Sequence, residues 1–237
     1  VWETLLDFDK LAADEGANWV FKGASCLSPT YEKCLISLSD GGKDASVVRE
    51  FDIAKKAFVD GGFVMPEAKS GTAWIGADAL LVATSWGEGS LTESGYPFIV
   101  KRWTRGAELA AAEELIRGTT TDVGVWPAAF EVAPGVFEPM AVRAVSFFET
   151  EYHWLGGETP VKLNLPLKSS PSTLFDGQLV FSIEEDWTPN EGGQTFAQGS
   201  LLSVDWDALK TGASPLPVET VYVPDARSAL EGASASR

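Results

Sequence analysis

The chain has 237 residues, 45% of them hydrophobic and 22% charged, so it can bury a sizeable core and has the balance of an ordinary globular protein. Against 34 Asp and Glu there are only 18 Lys and Arg, and the formal charge of −16 makes phosphate backbones and anionic lipid surfaces poor partners. No apolar run approaches the roughly 20 residues that a membrane-spanning helix requires.

The chain opens at Val1 inside the apolar run VWETLLDF, with no charged segment ahead of a signal-like core. So abrupt a start predicts a piece cut from a longer protein. Trp2 to Phe8 reads as a strand, and Asp9 to Gly16 as a helical turn ended by glycine. Strands follow at Trp19 to Ala24, Cys34 to Ser39 and Ser46 to Phe51. Asp40-Gly41-Gly42 joins the last two as a hairpin turn, because glycine supplies the positive φ that a tight turn needs. A short run at Ala57 to Asp60 ends in Gly61-Gly62, and Ala73 to Ile75 with Ala79 to Thr84 begin a second group. A polar loop, Ser85 to Tyr96, separates these from Pro97 to Thr104. Glu108 to Ile116 is rich in Ala, Glu and Leu and is helical by propensity.

Further strands are expected at Val123 to Val132, Met140 to Phe148, Val161 to Leu165, Gln178 to Ile183, Gly199 to Val204 and Glu219 to Val223. The small, polar tail Ser228 to Arg237 reads as a fraying loop that would lead into further structure in a longer chain. Short strands with no long helix between them argue all-β and not βαβ. The spacing of the Trp19, Trp74 and Val123 groups fits a propeller blade period of about 40–50 residues. Nine Trp and 13 Phe suit packing between stacked sheets, where one ring fills much area at little entropic cost. Cys26 and Cys34 flank a turn, so a cross-strand bridge is conceivable. The reading adopted is two half-buried free thiols, with a reducing compartment and a cytoplasmic location as the default.

Three consecutive stretches carry a resemblance: WVFKGASCLSPTYEKCLISLSDGGKDASVVREFD from Trp19, FVMPEAKSGTAWI from Phe63, and GEGSLTESGYPFIVKRWTRG from Gly87. Together they resemble the N-terminal β-propeller of the prolyl oligopeptidase family of serine peptidases. The likeness returns at Glu185-Asp186-Trp187 and Gly199-Ser200-Leu201-Leu202. It implies one all-β domain over residues 1–237, a partial propeller of about four to five blades out of a seven-bladed type. It also implies that the second half of Glu108 to Ile116 is the outer strand of a blade. The implied function is a non-catalytic gate that restricts access of peptides to an active site outside this chain. The implied partners are peptide substrate and the α/β-hydrolase catalytic domain of the same parent chain. The unpaired edges of a partial blade set predict self-association, and the −16 charge predicts a bias toward cationic peptides.

Catalytic chemistry is not visible. A serine hydrolase needs a nucleophile at a strained turn, a His base and an orienting carboxylate. No G-x-S-x-G elbow is present: Gly23-Ala24-Ser25-Cys26-Leu27 lacks the final glycine, and Ser90 and Ser94 are in the wrong frame. The single histidine, His153 in FFETEYHWL, reads as a structural strand residue. One His and two Cys cannot build a zinc set, and the pairs Asp7/Asp9 and Asp14/Glu15 and the run Glu184 to Asp186 lack calcium-loop spacing, so no metal or cofactor is expected. Gly87-Glu88-Gly89-Ser90 lacks the Lys and helix of a phosphate cradle. Ser90, Thr92, Ser94 and Tyr96, in the loop Gly89 to Tyr96, are the candidate surface facing the catalytic domain or the pore, beside a plain structural role. Two other functions compete. One is a freestanding binding propeller for a protein or small molecule; the other is a small propeller glycoside hydrolase, which needs two inward carboxylates about 5–10 Å apart.

Overall fold

The computed structural model describes residues 2–233. Among the described residues seventeen strands form four antiparallel sheets, each built from consecutive segments of chain. The first holds β1 (Trp19–Cys26), β2 (Lys33–Asp40), β3 (Ser46–Asp52) and β4 (Ala57–Phe58), with β5 (Val64–Ala68) also paired to β3. The second runs β6 (Gly71–Trp74), β7 (Ala79–Ala83), β8 (Ile99–Thr104) and β9 (Glu113–Arg117). The third runs β10 (Gly124–Ala133), β11 (Val136–Ala144), β12 (Thr150–Trp154) and β13 (Val161–Lys162). The fourth runs β14 (Ser169–Phe175), β15 (Gln178–Ile183), β16 (Leu201–Asp205) and β17 (Val218–Tyr222). Four successive antiparallel meanders, each of four strands in order with β5 added to the first, are packed face to face as propeller blades, so the all-β reading holds and the blade count among the described residues is four.

The period-2 alternation of strands decides which blades meet. In β7, Leu80 and Val82 pack with Phe63, Met65, Trp74 and Trp103 between blades 1 and 2. The intervening Leu81 and Ala83 pack with Val125, Ala141 and Leu155 between blades 2 and 3. Between blades 3 and 4, Met140, Tyr152 and Leu163 meet Leu179, Phe181, Ile183, Leu202 and Val204. Every large aliphatic side chain buried this way contributes roughly 2 kcal/mol relative to exposure. A bidentate pair ties blade 1 to blade 2: Arg105 Nη1 donates to Glu50 Oε2 at 2.8 Å and Nη2 to Oε1 at 3.1 Å. Glu50 is only 1% exposed, and its Oε2 also accepts from Phe63 N, so the buried charge is both paired and hydrogen-bonded.

Trp2 to Phe8 is not a strand. Asp7 caps a helix, α1 (Phe8–Glu15), by accepting from Lys10 N, and Gly16 ends it at φ 65°. The apolar residues of the opening run serve instead as a cover: Leu6, Phe8 and Leu11 lie on Ile36, Leu38 and Phe51 of blade 1. Glu15 fastens that cover, accepting from Trp19 Nε1 at 2.7 Å and Arg49 Nη1 at 2.8 Å. A second short helix, α2 (Trp206–Thr211), buries Trp206 and Leu209 in the core between blades 3 and 4. Lys210 reaches back from it to Glu138 Oε1 at 3.1 Å.

Glu108 to Ile116 divides: Leu109–Ala111 makes a single 3₁₀ turn, and its second half enters β9, the outer strand of blade 2. The free-thiol reading is corrected. Cys26 and Cys34 face each other in the β1–β2 register and are joined in a disulfide, which removes the premise of a reducing compartment. Val1 and residues 234–237, on which parts of the expectations for the opening and the tail fall, lie outside the described residues.

Candidate channel wall and rim

The first strands of successive blades adjoin one another, β6 against β10 and β10 against β14. Glycine permits one of these approaches: a Cβ on Gly71 would come within 3.1 Å of Pro127 Cδ and 3.2 Å of Trp126 Cε3. Residues of β1, β6 and β10 thereby share a concavity of about 420 Å³, lined among others by Ser25, Thr72, Trp74, Ala128 and Glu131. A neighbouring concavity of about 310 Å³ joins the β1–β2 and β10–β11 hairpins to Thr173 and Phe175 of β14. The inner wall of the arc of blades is thus continuous and is made by first strands.

At one end of this wall Ser28 Oγ donates to Glu131 Oε1 at 2.5 Å, and Gly135 N donates to the same oxygen at 2.9 Å. The contact joins hairpins of blades 1 and 3 and skips blade 2. Sequence reasoning missed both residues, although a lone carboxylate within VWPAAFEVA is a signal that could have marked Glu131. Among the described residues lining these two concavities it is the one carboxylate.

The opposite rim carries the start of β1, the β7–β8 loop, the β11–β12 turn and the inter-blade connectors 118–123 and 163–168. The four loop residues singled out from sequence sit here in different roles. Ser90 is buried, donating to Gly87 O at 2.6 Å and accepting from Trp86 N at 2.8 Å. Thr92 is buried too; its hydroxyl accepts from Tyr96 N at 3.1 Å and lies 3.0 Å from Ser94 Oγ. Ser94 is exposed. Tyr96 is half-buried, with Lys69 Nζ 4.2 Å from its ring centre and Trp126 edge-on at 5.8 Å. Two of the four hydroxyl positions therefore staple the loop internally, and Ser94 and Tyr96 present surface.

Beside this loop an ionic cluster fixes the blade 2–3 junction. Arg143 donates to both oxygens of Asp122, at 2.8 and 3.1 Å, and to Glu151 Oε2 at 3.2 Å. Burial alone would raise the Asp122 carboxyl, but donation from Arg143 and from Thr119 holds it below the ordinary value. Burial likewise opposes, and Lys162 and His153 outweigh it, at Glu151, which is also lowered. His153 is pulled down by its own burial against the raising effect of Glu151, 3.3 Å away, so it is neutral near pH 7. Among the described residues no hydrogen bond links His153 to a Ser, Thr or Cys, and no group of three His, Cys, Asp or Glu could hold a metal ion. No described helix is long and apolar enough to cross a membrane.

Comparison with known proteins agrees with this architecture. Residues 1–117 match the family model described as prolyl oligopeptidase, N-terminal beta-propeller domain. The uncharacterized peptidase y4nA of Sinorhizobium fredii is 36% identical over 241 residues, covering 100% of this chain and 33% of that protein. The uncharacterized peptidase RP174 of Rickettsia prowazekii is 33% identical, covering 94% of this chain and 32% of that protein. A post-proline cleaving enzyme from Rickettsia typhi has the same fold, with a TM-score of 0.85 at 23% identity over 95% of this chain and 34% of that one. The chain spans about a third of the length of the curated relatives it matches.

Proposed function

Because the chain belongs to the prolyl oligopeptidase family, as part of its N-terminal β-propeller, we propose that it gates a peptidase active site lying elsewhere in a longer parent chain. The proposed mechanism is steric. Blades locked by apolar interfaces form a wall that a folded protein cannot deform, while an extended peptide passes along it or at the domain junction. The observation that carries this reading is the inner wall itself: first strands and hairpins line it, the Ser28–Glu131 contact bridges two of those hairpins at one end, and the described residues lining its two concavities include no nucleophile–base pair.

In this reading Ser94 and Tyr96 face the catalytic domain, whereas Ser90 and Thr92 keep their loop in shape. Exposed sheet edges, β17 among them, are the route to self-association when the chain is studied alone. The glycosidase alternative has less support, since Glu131 is the one carboxylate among the described residues lining the two concavities at β1, β6 and β10. The test uses the full-length parent and one cleavable sequence, presented as a short flexible peptide and within a folded protein. The peptide is cleaved and the folded protein is not; Ser28→Ala with Glu131→Ala shifts the limit toward larger substrates. Equal turnover of both forms by the unaltered parent removes the gating role.

A further inference from the structure

Glu131 is a carboxylate to which the described chain supplies no cation. It is half-buried on β10, and its two donors, Ser28 Oγ and Gly135 N, are neutral and both reach Oε1. The buried carboxylates at the blade junctions are treated otherwise: Arg105 pairs with Glu50, and Arg143 with Asp122. Among the described residues no Lys, Arg or His lines either concavity of the inner wall, whereas Glu131, Ser28 and Tyr31 line both. Tyr31 is unusual in its own right. It is 58% exposed, and its φ of 54° lies in the left-handed region, which a bulky residue seldom occupies. Tyr31 N donates to Leu27 O at 2.9 Å and Leu27 N to Lys33 O at 2.8 Å, so the tip of the hairpin holds that conformation. A strained backbone that presents an aromatic ring at the same concavities as a carboxylate without a cation points to a ligand that meets both.

We propose that Glu131 and Tyr31 bind the guanidinium of an arginine side chain in an extended peptide, away from the bond that is cleaved; this rests on the gating reading above. Charge selects a cation. An apolar side chain seated here would strip water from Glu131 and put nothing in its place, whereas a cation replaces that water with an opposite charge. One carboxylate is too few for a divalent metal ion, which takes several oxygen ligands. Shape selects a guanidinium over an ammonium. Its N–H groups donate in the plane to Oε2, which the neutral donors leave to the ligand, while its flat face stacks on the Tyr31 ring. Concavities of about 310 and 420 Å³ admit a side chain and not a folded domain. On the neighbouring hairpins the exposed Val136 and Phe175 offer apolar contact to the residues that flank the arginine. The −16 charge of the chain draws the same ligand in from solution.

The test uses the full-length parent and short peptides that share one cleavable sequence. Each carries either arginine or citrulline, which has the same shape without the charge, at successive distances from the cleaved bond. At one distance arginine should lower KM about tenfold relative to citrulline. Glu131→Gln keeps an oxygen for Ser28 and Gly135 and should abolish that ratio. Glu219→Gln, on the edge strand β17, removes the same unit of charge and should preserve it. A benzoylphenylalanine beside the arginine should, on irradiation, label residues 27–31 or 134–137 of the unaltered parent, and its citrulline counterpart should not. Labelling elsewhere, equal labelling by the two peptides, or equal loss of the ratio in both variants overturns the site. A lysine peptide that labels as strongly overturns the choice of guanidinium. Gating is judged independently: a parent that labels as expected yet cleaves folded proteins as readily as peptides keeps the site and loses the gate. A parent that excludes folded proteins and labels alike with arginine and citrulline keeps the gate and loses the site.

Discussion

The two ends of the blade stack are finished differently. The outward face of blade 1 is apolar, with Ile36, Leu38 and Phe51, and the chain lays its own opening segment and α1 over it. The outward face of blade 4 carries Ser170, Thr173, Val180, Ser182, Ser203 and Glu219, with one buried aliphatic, Leu201, beside Leu230, and is placed by the same register that turns Leu179, Phe181, Leu202 and Val204 inward. A sheet face that must exclude water carries branched and aromatic side chains, and one that tolerates water carries hydroxyls. Blade 1 is therefore covered by the segment that precedes it, and the corresponding face of blade 4 is the more polar of the two.

The sharpest break of this contrast is a pair of truncations. Phe51→Ala should cost about 3–5 kcal/mol in urea unfolding, because it opens a cavity under the α1 cover. Ser182→Ala on the outward face of blade 4 should change stability by no more than about 0.5 kcal/mol. Equal losses would mean that the two faces are packed alike. Reducing the Cys26–Cys34 bond, which closes a loop with a sequence separation of 8, should lower stability by about 2 kcal/mol and leave the Ser182 site untouched. An unchanged unfolding midpoint in reductant would show that the bond does not constrain the chain.

Glu15→Ala should remove about 1 kcal/mol, discounted for the partial exposure of both partners, and make α1 exchange its amides faster while blade 4 does not. Acid should act on the same latch. The hydrogen bond from Arg49 is the main reason that Glu15 titrates below its ordinary 4.5; its contribution is complete above that value and disappears as pH falls through the lower folded one. His153 acts in the same sense, because burial holds it below 6.5 and protonation favours the unfolded chain as pH drops past that value. Unfolding midpoints measured from pH 7 downward should fall steadily, and Glu15→Gln should flatten the acid end. A midpoint that rises on acidification would reverse the assignment.

Much of the blade pattern was legible because strands announce themselves twice, by alternation and by the glycines that end them. Asp40-Gly41-Gly42 is such a place: both glycines adopt positive φ, 70° and 79°, and β2 ends at Asp40. The strand role of His153 in β12 was legible in the same way. The opening run was misread because apolar density reports contact with a core and not period, and Leu6 and Phe8 are half-buried as a cover. The short β14, SSPSTLF, and the six-residue α2 were missed, since each is too short or too polar to give a periodic signal. Pairing of Cys26 with Cys34 depended on a register that only folding supplies. The loop hydroxyls of Ser90 and Thr92 turn inward to satisfy their own backbone, which composition cannot distinguish from facing a partner. Phe147 and Phe148 were absorbed into a strand expected to run to Phe148, but β11 stops at Ala144 and leaves them on the turn.

The Ser28–Glu131 contact has a geometric consequence. Neighbouring blades are joined by interfaces that fix each relative rotation only as well as side chains interdigitate, so small errors accumulate along an arc. A bond from the first blade to the third is a chord across that arc, and it turns two adjustable angles into one triangle of fixed sides. Curvature is then set within the first three blades, and every later blade is added at a pitch already decided.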